Sequence, residues 1–231
     1  IDAKGVVTKA HTPGFYTTGD NNWFYADSHG RNVTGAQVIN GQHLYFDANG
    51  RQVKGGFVTN TDGSRSFYHW NTGDKLVSTF FTTGHDRWYY ADDKGNVVTG
   101  AQVINGQKLF FATDGKQVKG DFATNANGSR SYYHGATGDK LVSTFFTTGD
   151  NNWYYADAKG ELVVGEQTIN GQNLYFDQTG KQVKGATAAN PDGSISYYDV
   201  HTGEKAINRW VKIPSGQWVY FNAQGKGYVS N

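Results

Sequence analysis

A repeat with a fixed period of 65 residues constrains this sequence more than any other feature. The stretch AQVINGQHLYFDANGRQVKG at 36–55 returns almost unchanged at 101–120 and again at 166–185. The flanking sequence keeps the same step, as four tryptophans spaced by 65 residues show: Trp23, Trp88, Trp153 and Trp218. A constant period is typical of repeat architectures, whose units bury a core only by stacking on their neighbours. We therefore expect 1–231 to be a single repeat-built domain and a fragment of a longer protein, with periods of about 15–79, 80–144 and 145–209 and a truncated fourth period at 210–231.

Each period divides into three shorter units, and each unit contains an aromatic residue followed five positions later by glycine. In the first period these pairs are Tyr25 with Gly30, Tyr45 with Gly50, and Tyr68 with Gly73. Turn-forming residues such as DSHG and DANG lie between ring and glycine, and glycine can take the left-handed conformation that closes a hairpin. No segment has a sustained helical period. The sequence predicts an all-β fold, an elongated β-solenoid of ten stacked short β-hairpins, with three hairpins per 65-residue repeat.

Composition narrows the possible partners. The 21 basic and 20 acidic residues give a formal net charge of +1 and are not clustered by sign. Nucleic acids and anionic membranes bind concentrated basic surfaces, so we expect neither as a partner. We also expect the chain to be a monomer. No apolar run approaches the length of a membrane span. Aromatic residues supply much of the apolar content, with 15 Tyr, 14 Phe and 6 Trp, which favours strands and stacking surfaces over one large core.

The sequence gives little support for catalysis or for metal binding. Acidic residues such as Asp47 and Asp177 lie mostly in turns, where the carboxylate hydrogen-bonds the turn backbone. No pair of facing carboxylates stands out from the repeats, as a glycosidase would require. The stretch Asp20-Asn21-Asn22 resembles a set of calcium ligands, but the second copy places Arg87 there. With no cysteine and no metal-ligand spacing among the seven histidines, we expect no enzyme activity, no cofactor and no metal.

Strand alternation predicts one candidate binding surface. Successive residues of a strand face opposite sides, so Tyr45 and Leu44 lie on different faces. We assign Val53 to the core face with Leu44, which puts Gln52 and Lys54 beside Tyr45. A pyranose offers an apolar C–H face that stacks on a ring and a rim of hydroxyls that amide and ammonium groups bind. Gln37 is placed to close this site from the adjacent hairpin, although a polar strand face without function fits the same pattern.

The repeated motif also resembles a known family. TGAQVINGQHLYFDANGRQVKG followed by DGSRSFYHWNTGDKLV is similar to the YG-type repeats in the glucan-binding domain of glucansucrases, the dextransucrase-like enzymes of lactic acid bacteria. This resemblance covers essentially the whole chain. It implies a non-catalytic module, secreted or associated with the cell wall, of an enzyme that acts on sucrose. Its implied partners are α-glucan chains of the dextran type and isomaltooligosaccharides, bound in repeated pockets along a β-solenoid.

Carried over residue by residue, the family pattern implies twelve sugar-binding positions. They are Gln37, Tyr45, Gln52 and Lys54 in the first copy, Gln102, Phe110, Gln117 and Lys119 in the second, and Gln167, Tyr175, Gln182 and Lys184 in the third. The second copy departs from the pattern because Phe110 lacks the phenol hydroxyl. The third has Val164 where the others have Thr34 and Thr99, so it lacks the threonine hydroxyl.

Two other functions remain open at this point. A cell-wall anchor of the choline or teichoic-acid type is built on similar hairpins and needs aromatic cages around a quaternary ammonium. Tryptophan occurs only in the first unit of each period apart from Trp70 and Trp210, so repeated cages are not obvious. The third possibility is a structural spacer, for which the shared glutamine and lysine positions would be accidental.

Overall fold

The computed structural model describes residues 11–19, 22–149 and 152–229, and within these ranges it contains strands and no helix. Twenty short strands pair into ten two-stranded sheets, which confirms the predicted all-β array of ten hairpins. Their bounds are β1 Gly14–Thr17, β2 Trp23–Ala26, β3 Gly35–Ile39, β4 Gln42–Phe46, β5 Gly56–Thr59, β6 Arg65–Tyr68, β7 Thr79–Thr82, β8 Trp88–Ala91, β9 Gly100–Ile104, β10 Gln107–Phe111, β11 Asp121–Thr124, β12 Arg130–Tyr133, β13 Thr144–Thr147, β14 Trp153–Ala156, β15 Gly165–Ile169, β16 Gln172–Phe176, β17 Ala186–Ala189, β18 Ile195–Tyr198, β19 Arg209–Lys212 and β20 Trp218–Phe221. None of the described segments is a helix long and apolar enough to cross a membrane.

Two kinds of turn follow from the local sequence. The β3–β4 hairpin closes through Asn40 and Gly41 alone, and their φ angles of 51° and 80° are those of a tight turn whose twist matches the strands. After β4 the chain turns again at the glycine of the aromatic frame. There one carboxylate oxygen of Asp47 accepts hydrogen bonds from the backbone N–H groups of Asn49 and Arg51, both at 2.9 Å. Asp47 therefore has the turn-forming role that the sequence predicts.

The chain divides into two compact units. The first consists of residues up to 102 together with 110–117, and the second of 103–109 together with residues from 118 onward. Strands β9 and β10 contribute residues to both.

Within each unit, backbone hydrogen bonds join successive hairpins. In the first unit the segment after β4 returns to the preceding hairpin, where Gln52 N–H donates to the carbonyl of Trp23 at 2.7 Å. Lys75 N–H donates in the same way to His43, at 2.8 Å. In the second unit the bond from Gln182 to Trp153 repeats this at 2.7 Å. Each hairpin is thus bonded to the one before it, as in a solenoid.

Both faces of an internal hairpin pack against neighbours. In β13–β14, Phe146 and Tyr154 on one face pack with residues of the preceding hairpin, which include Phe122. Phe145 and Tyr155 on the other face pack against the buried cluster of the following hairpin. The apolar core is therefore a series of small clusters between hairpins.

Candidate functional site

The strand register separates residues that the sequence grouped together. Tyr45 pairs with Ala36, whereas Gln37 pairs with Leu44. Residues directly opposite each other share a face of an antiparallel pair, so Gln37 lies on the face of Leu44 and away from Tyr45. The prediction that Gln37 closes a site around Tyr45 is therefore wrong, because the two side chains lie on opposite faces of the hairpin.

The three predicted glutamines within β3, β9 and β15 make local backbone contacts. In each copy Nε2 donates to the carbonyl three residues earlier at 2.8 Å, through the pairs Gln37 with Thr34, Gln102 with Thr99, and Gln167 with Val164. The acceptor belongs to the backbone, so the change from threonine to valine at position 164 leaves this bond in place.

Gln52 is a buried residue. It forms a β-bridge opposite Phe46, so it shares the buried face of that residue and not the face of Tyr45. Only 8% of Gln52 is exposed, and its Nε2 donates to the carbonyl of Thr72 at 3.1 Å. The prediction that Val53 faces the core with Leu44 while Gln52 and Lys54 flank Tyr45 is wrong, because the register of the returning segment is shifted by one residue.

The equivalent glutamines repeat this burial. Gln117 is 6% exposed and bridges to Phe111, and Gln182 is 7% exposed and bridges to Phe176. The amide of Gln182 lies beside Gly203 of the following hairpin.

The predicted stacking rings are half-buried. The ring of Tyr45 lies 5.9 Å from that of Tyr68 in the following hairpin, and Tyr175 lies 5.4 Å from Tyr198 in the same way. Phe110 is half-buried as well. Tyr45 and Tyr175 therefore direct part of their surface to a neighbouring tyrosine.

The lysines of the predicted set lie over a different aromatic residue. Lys54 Nζ is 4.9 Å from the centroid of the Trp23 ring, and Lys184 Nζ is 5.1 Å from that of Trp153. The bridge register explains this geometry, because it turns the segment 52–54 toward the preceding hairpin. Lys184 and Lys119 also donate, at 3.4 Å, to the carbonyls of His201 and Ala136. Lys119 belongs to the second unit, whereas Gln102, Phe110 and Gln117 belong to the first.

An open cavity of about 500 Å³ surrounds the first of these pairs. Trp23 and Lys54 line it together with Trp70, which follows β6 and is 45% exposed. Its polar rim includes an ion pair of 3.4 Å between Arg51 and Asp47. The remaining lining residues are Asn22, Gln52 and Val53. The cavity thus combines two indole rings with hydrogen-bond donors and acceptors.

Sequence reasoning missed Trp23 and Trp153 as site residues. Their 65-residue recurrence was visible, but it served only to define the period. Trp70 could not be found from the repeat, because Gly135 and Val200 hold its position in the other copies.

Among the residues that the structure describes, no group of three His, Asp or Glu side chains is arranged to hold a metal ion.

Rings and polar groups set between stacked hairpins define a repeat-built binding module. A model of the choline-binding repeat matches residues 33–80, 98–145 and 163–210, and a model of a cell wall binding repeat matches 78–97, 143–162 and 208–226. The chain belongs to this family of choline-binding and cell wall binding repeats. Choline-binding repeat domains are non-catalytic binding modules, so the prediction of a binding module and not an enzyme is confirmed.

The related sequences confirm the resemblance to glucansucrases. Glucosyltransferase-S of Streptococcus mutans is 40% identical over 206 residues, which are 89% of this chain and 14% of the relative. Glucosyltransferase-I of the same organism is 46% identical over 190 residues, or 82% of this chain and 13% of the relative. This chain therefore spans about a seventh of the length of these two proteins.

Solved structures share the fold. Choline binding protein F from Streptococcus pneumoniae superposes with a TM-score of 0.65 at 20% identity, over 90% of this chain and 76% of that one. The choline-binding domain of CbpL from the same organism gives a TM-score of 0.62 at 20% identity, over 86% and 99%. These similarities confirm the solenoid of β-hairpins.

Proposed function

We propose that this chain is an α-glucan-binding module that keeps dextran-like polymer or isomaltooligosaccharides near the catalytic domain of an extracellular or wall-associated glucosyltransferase. The observation that carries the proposal is the position of Lys54 over Trp23 in a cavity shared with Trp70. The relatives named glucosyltransferase support the choice of glucan as the ligand.

The cavity suits a neutral sugar. An indole ring offers a broad apolar surface for the C–H face of a pyranose, and Trp70 supplies a second wall. Lys54 donates hydrogen bonds only, whereas Asp47 accepts them. Both side chains can therefore bind the hydroxyl groups of the sugar. In this proposal Gln52, Gln117 and Gln182 position the returning segments, while Lys54, Lys119 and Lys184 contact sugar. The other predicted residues have a structural role in this proposal and do not contact sugar. They are Tyr45, Phe110, Tyr175, Gln37, Gln102 and Gln167.

Choline is the competing ligand, because the family model and the fold neighbours carry its name. A quaternary ammonium binds over the face of an aromatic ring, where the ring quadrupole attracts positive charge. At Trp23 and Trp153 a lysine ammonium already occupies that position, at 4.9 and 5.1 Å. A second cation there would meet like charge at short range, which favours a neutral ligand.

Affinity electrophoresis in gels with dextran, paired with a choline column, tests the proposal. Dextran should retard the chain, and Trp23→Ala combined with Trp153→Ala should remove most of the retardation. Trp210→Ala is the matched control, because Trp210 is a 63% exposed tryptophan outside the cavity. Retention on choline without retardation by dextran would establish the competing function. Equal losses in the double variant and the control would reject the tryptophan sites.

A further inference from the structure

The third copy of the repeat differs from the other two at three positions of one strand pair. Glu166, Thr168 and Asn173 stand where the first copy has Ala36, Val38 and His43 and the second has Ala101, Val103 and Lys108. Glu166 pairs with Tyr175, and Thr168 pairs with Asn173. Because opposite residues share a face and alternate residues of a strand do as well, all three replacements lie on one face of the β15–β16 hairpin.

These replacements line a second cavity, which lies within the second unit and has a volume of about 490 Å³. Glu166, Thr168 and Asn173 line it together with Tyr198, Lys205 and Ile207. Thr168 and Asn173 are exposed, and the hydroxyl of Thr168 donates to Oδ1 of Asn173 at 2.8 Å. Ile207 is 48% exposed and gives this polar cavity an apolar patch.

The carboxylate of Glu166 is fixed by two donors from the following hairpin. Lys205 Nζ lies 2.6 Å from Oε1, and the hydroxyl of Tyr198 donates to the same oxygen at 2.9 Å. Lys205 has a side chain only 12% exposed, whereas that of Glu166 is 53% exposed. The ammonium balances the carboxylate charge, and both bonds go to Oε1, so neither uses Oε2.

We propose that Glu166, Thr168 and Asn173 form a second kind of saccharide site, separate from the tryptophan cavities and specific to the third copy. An oriented carboxylate oxygen, an amide and a hydroxyl can bind neighbouring hydroxyls of a hexopyranose, while Ile207 meets its C–H face. The balanced charge favours a neutral polyol over a cation or an anion. The choice of glucose as the sugar rests on the proposed function, but the site itself does not.

Folding does not require these polar residues. In the first copy the same face carries Val38, which is 66% exposed, and Ala36, and in the second copy Val103 is 72% exposed. The same hairpin thus folds with apolar residues at these positions, which provides a reversion that the fold already accepts.

The test is a titration of the ¹⁵N-labelled chain with isomaltotetraose, followed by backbone amide shifts. The chain carries Trp23→Ala and Trp153→Ala so that the tryptophan cavities do not contribute. We expect saturable shifts at Thr168 and Asn173, and we expect them to vanish when Glu166→Ala, Thr168→Val and Asn173→Lys install the residues of the second copy. The converse variant, Ala36→Glu with Val38→Thr and His43→Asn, should produce new shifts at 38 and 43, since Tyr68 and Lys75 occupy the positions of Tyr198 and Lys205.

The outcomes separate this inference from the proposed function. If dextran retards the wild-type chain but isomaltotetraose leaves the amides of Thr168 and Asn173 unmoved, the second site is rejected and the glucan module stands. If those amides shift saturably in a chain that dextran does not retard, the second site stands, and polymer binding through the tryptophan cavities is rejected. Shifts of equal size in the reverted variant would also overturn the assignment.

Discussion

At the scale of single residues, the proposed function makes Lys54 the residue that selects the ligand of the first cavity. Its ammonium lies over the Trp23 ring and occupies the position that the cation of a ligand would take. The same ammonium can donate a hydrogen bond to a hydroxyl group. Lys184 repeats the arrangement over Trp153. Under the proposed function, one side chain would thus serve both sugar binding and discrimination against choline.

Replacing this lysine tests both effects together. Lys54→Met keeps the apolar stem over the indole and removes the charge, so oligosaccharide affinity at the first cavity should fall by about 2- to 10-fold, the contribution of a typical hydrogen bond of ~0.5–1.5 kcal/mol. Choline should bind the variant more tightly than it binds the wild type. Calorimetric titration with isomaltotetraose and with choline measures both, and Lys116→Met provides a control at an exposed lysine outside the cavity. An unchanged affinity for both ligands would remove Lys54 from the site.

Glu166 makes stability depend on pH. The hydrogen bond from Lys205 holds the pKa of Glu166 below its ordinary value of 4.5. A carboxylate with a lowered pKa in the folded state stabilises the protein above its unfolded pKa and loses that contribution as the pH falls through the folded one. Thermal unfolding should therefore separate wild type from Glu166→Gln above pH 4.5, and the difference should shrink below that pH. A difference independent of pH would mean that the charge of Glu166 contributes nothing.

At the scale of the hairpin, the sequence predicted the elements well and their faces badly. The glycine frame is a local signal, so the number of hairpins could be read directly. The closing turns were misplaced, because the β3–β4 hairpin closes at Asn40-Gly41 and the turn at Gly50 follows β4. The face assignment assumed that one side of each hairpin is solvated, but Phe145 and Phe146 pack on opposite neighbours. The orientation of Gln52 depends on its hydrogen bonds to Trp23 and Thr72 in other hairpins, which strand alternation does not contain.

Gly73 shows how tightly one hairpin packs on the next. Its φ is +71°, and a Cβ there would lie 2.2 Å from Nε2 of Gln52. Gly63 has a φ of +83° with no atom within 4 Å of an added Cβ, so it is the matched control. Both alanine variants carry backbone strain of about 1–2 kcal/mol, and Gly73→Ala should lose further stability through the clash. Urea unfolding measures the free energy of unfolding of each variant. Equal losses would show that the Gln52 side chain moves aside without destabilising the fold.

At the scale of the whole molecule, weak sites are expected to act together. One open cavity offers a ring face and a few hydrogen bonds that water also provides, so a short oligosaccharide should bind at about the millimolar level, roughly −4 kcal/mol. Sites carried on one chain can raise the apparent affinity for a polymer by about 10²-fold. Surface plasmon resonance on immobilised dextran should show this excess over isomaltotetraose in solution. Trp153→Ala should reduce the polymer affinity far more than it changes oligosaccharide binding at the first cavity, and a proportional loss in both would argue against joint binding.

The bond from Gln52 to Trp23 has a consequence for how such a chain can change in length. Each tryptophan site takes its ring from one hairpin and its ammonium from the next, so no hairpin owns a complete site. A tandem duplication or deletion of one full 65-residue block joins equivalent positions of the repeat. Each new junction therefore keeps the order of hairpins found in the existing repeats, wherever the breakpoints lie. A block of another length with a breakpoint between a tryptophan and its lysine would separate the ring from its ammonium. Copy number can therefore change by whole periods. Under the proposed function, recombination alone would then change the number of glucan sites, with no amino-acid substitution.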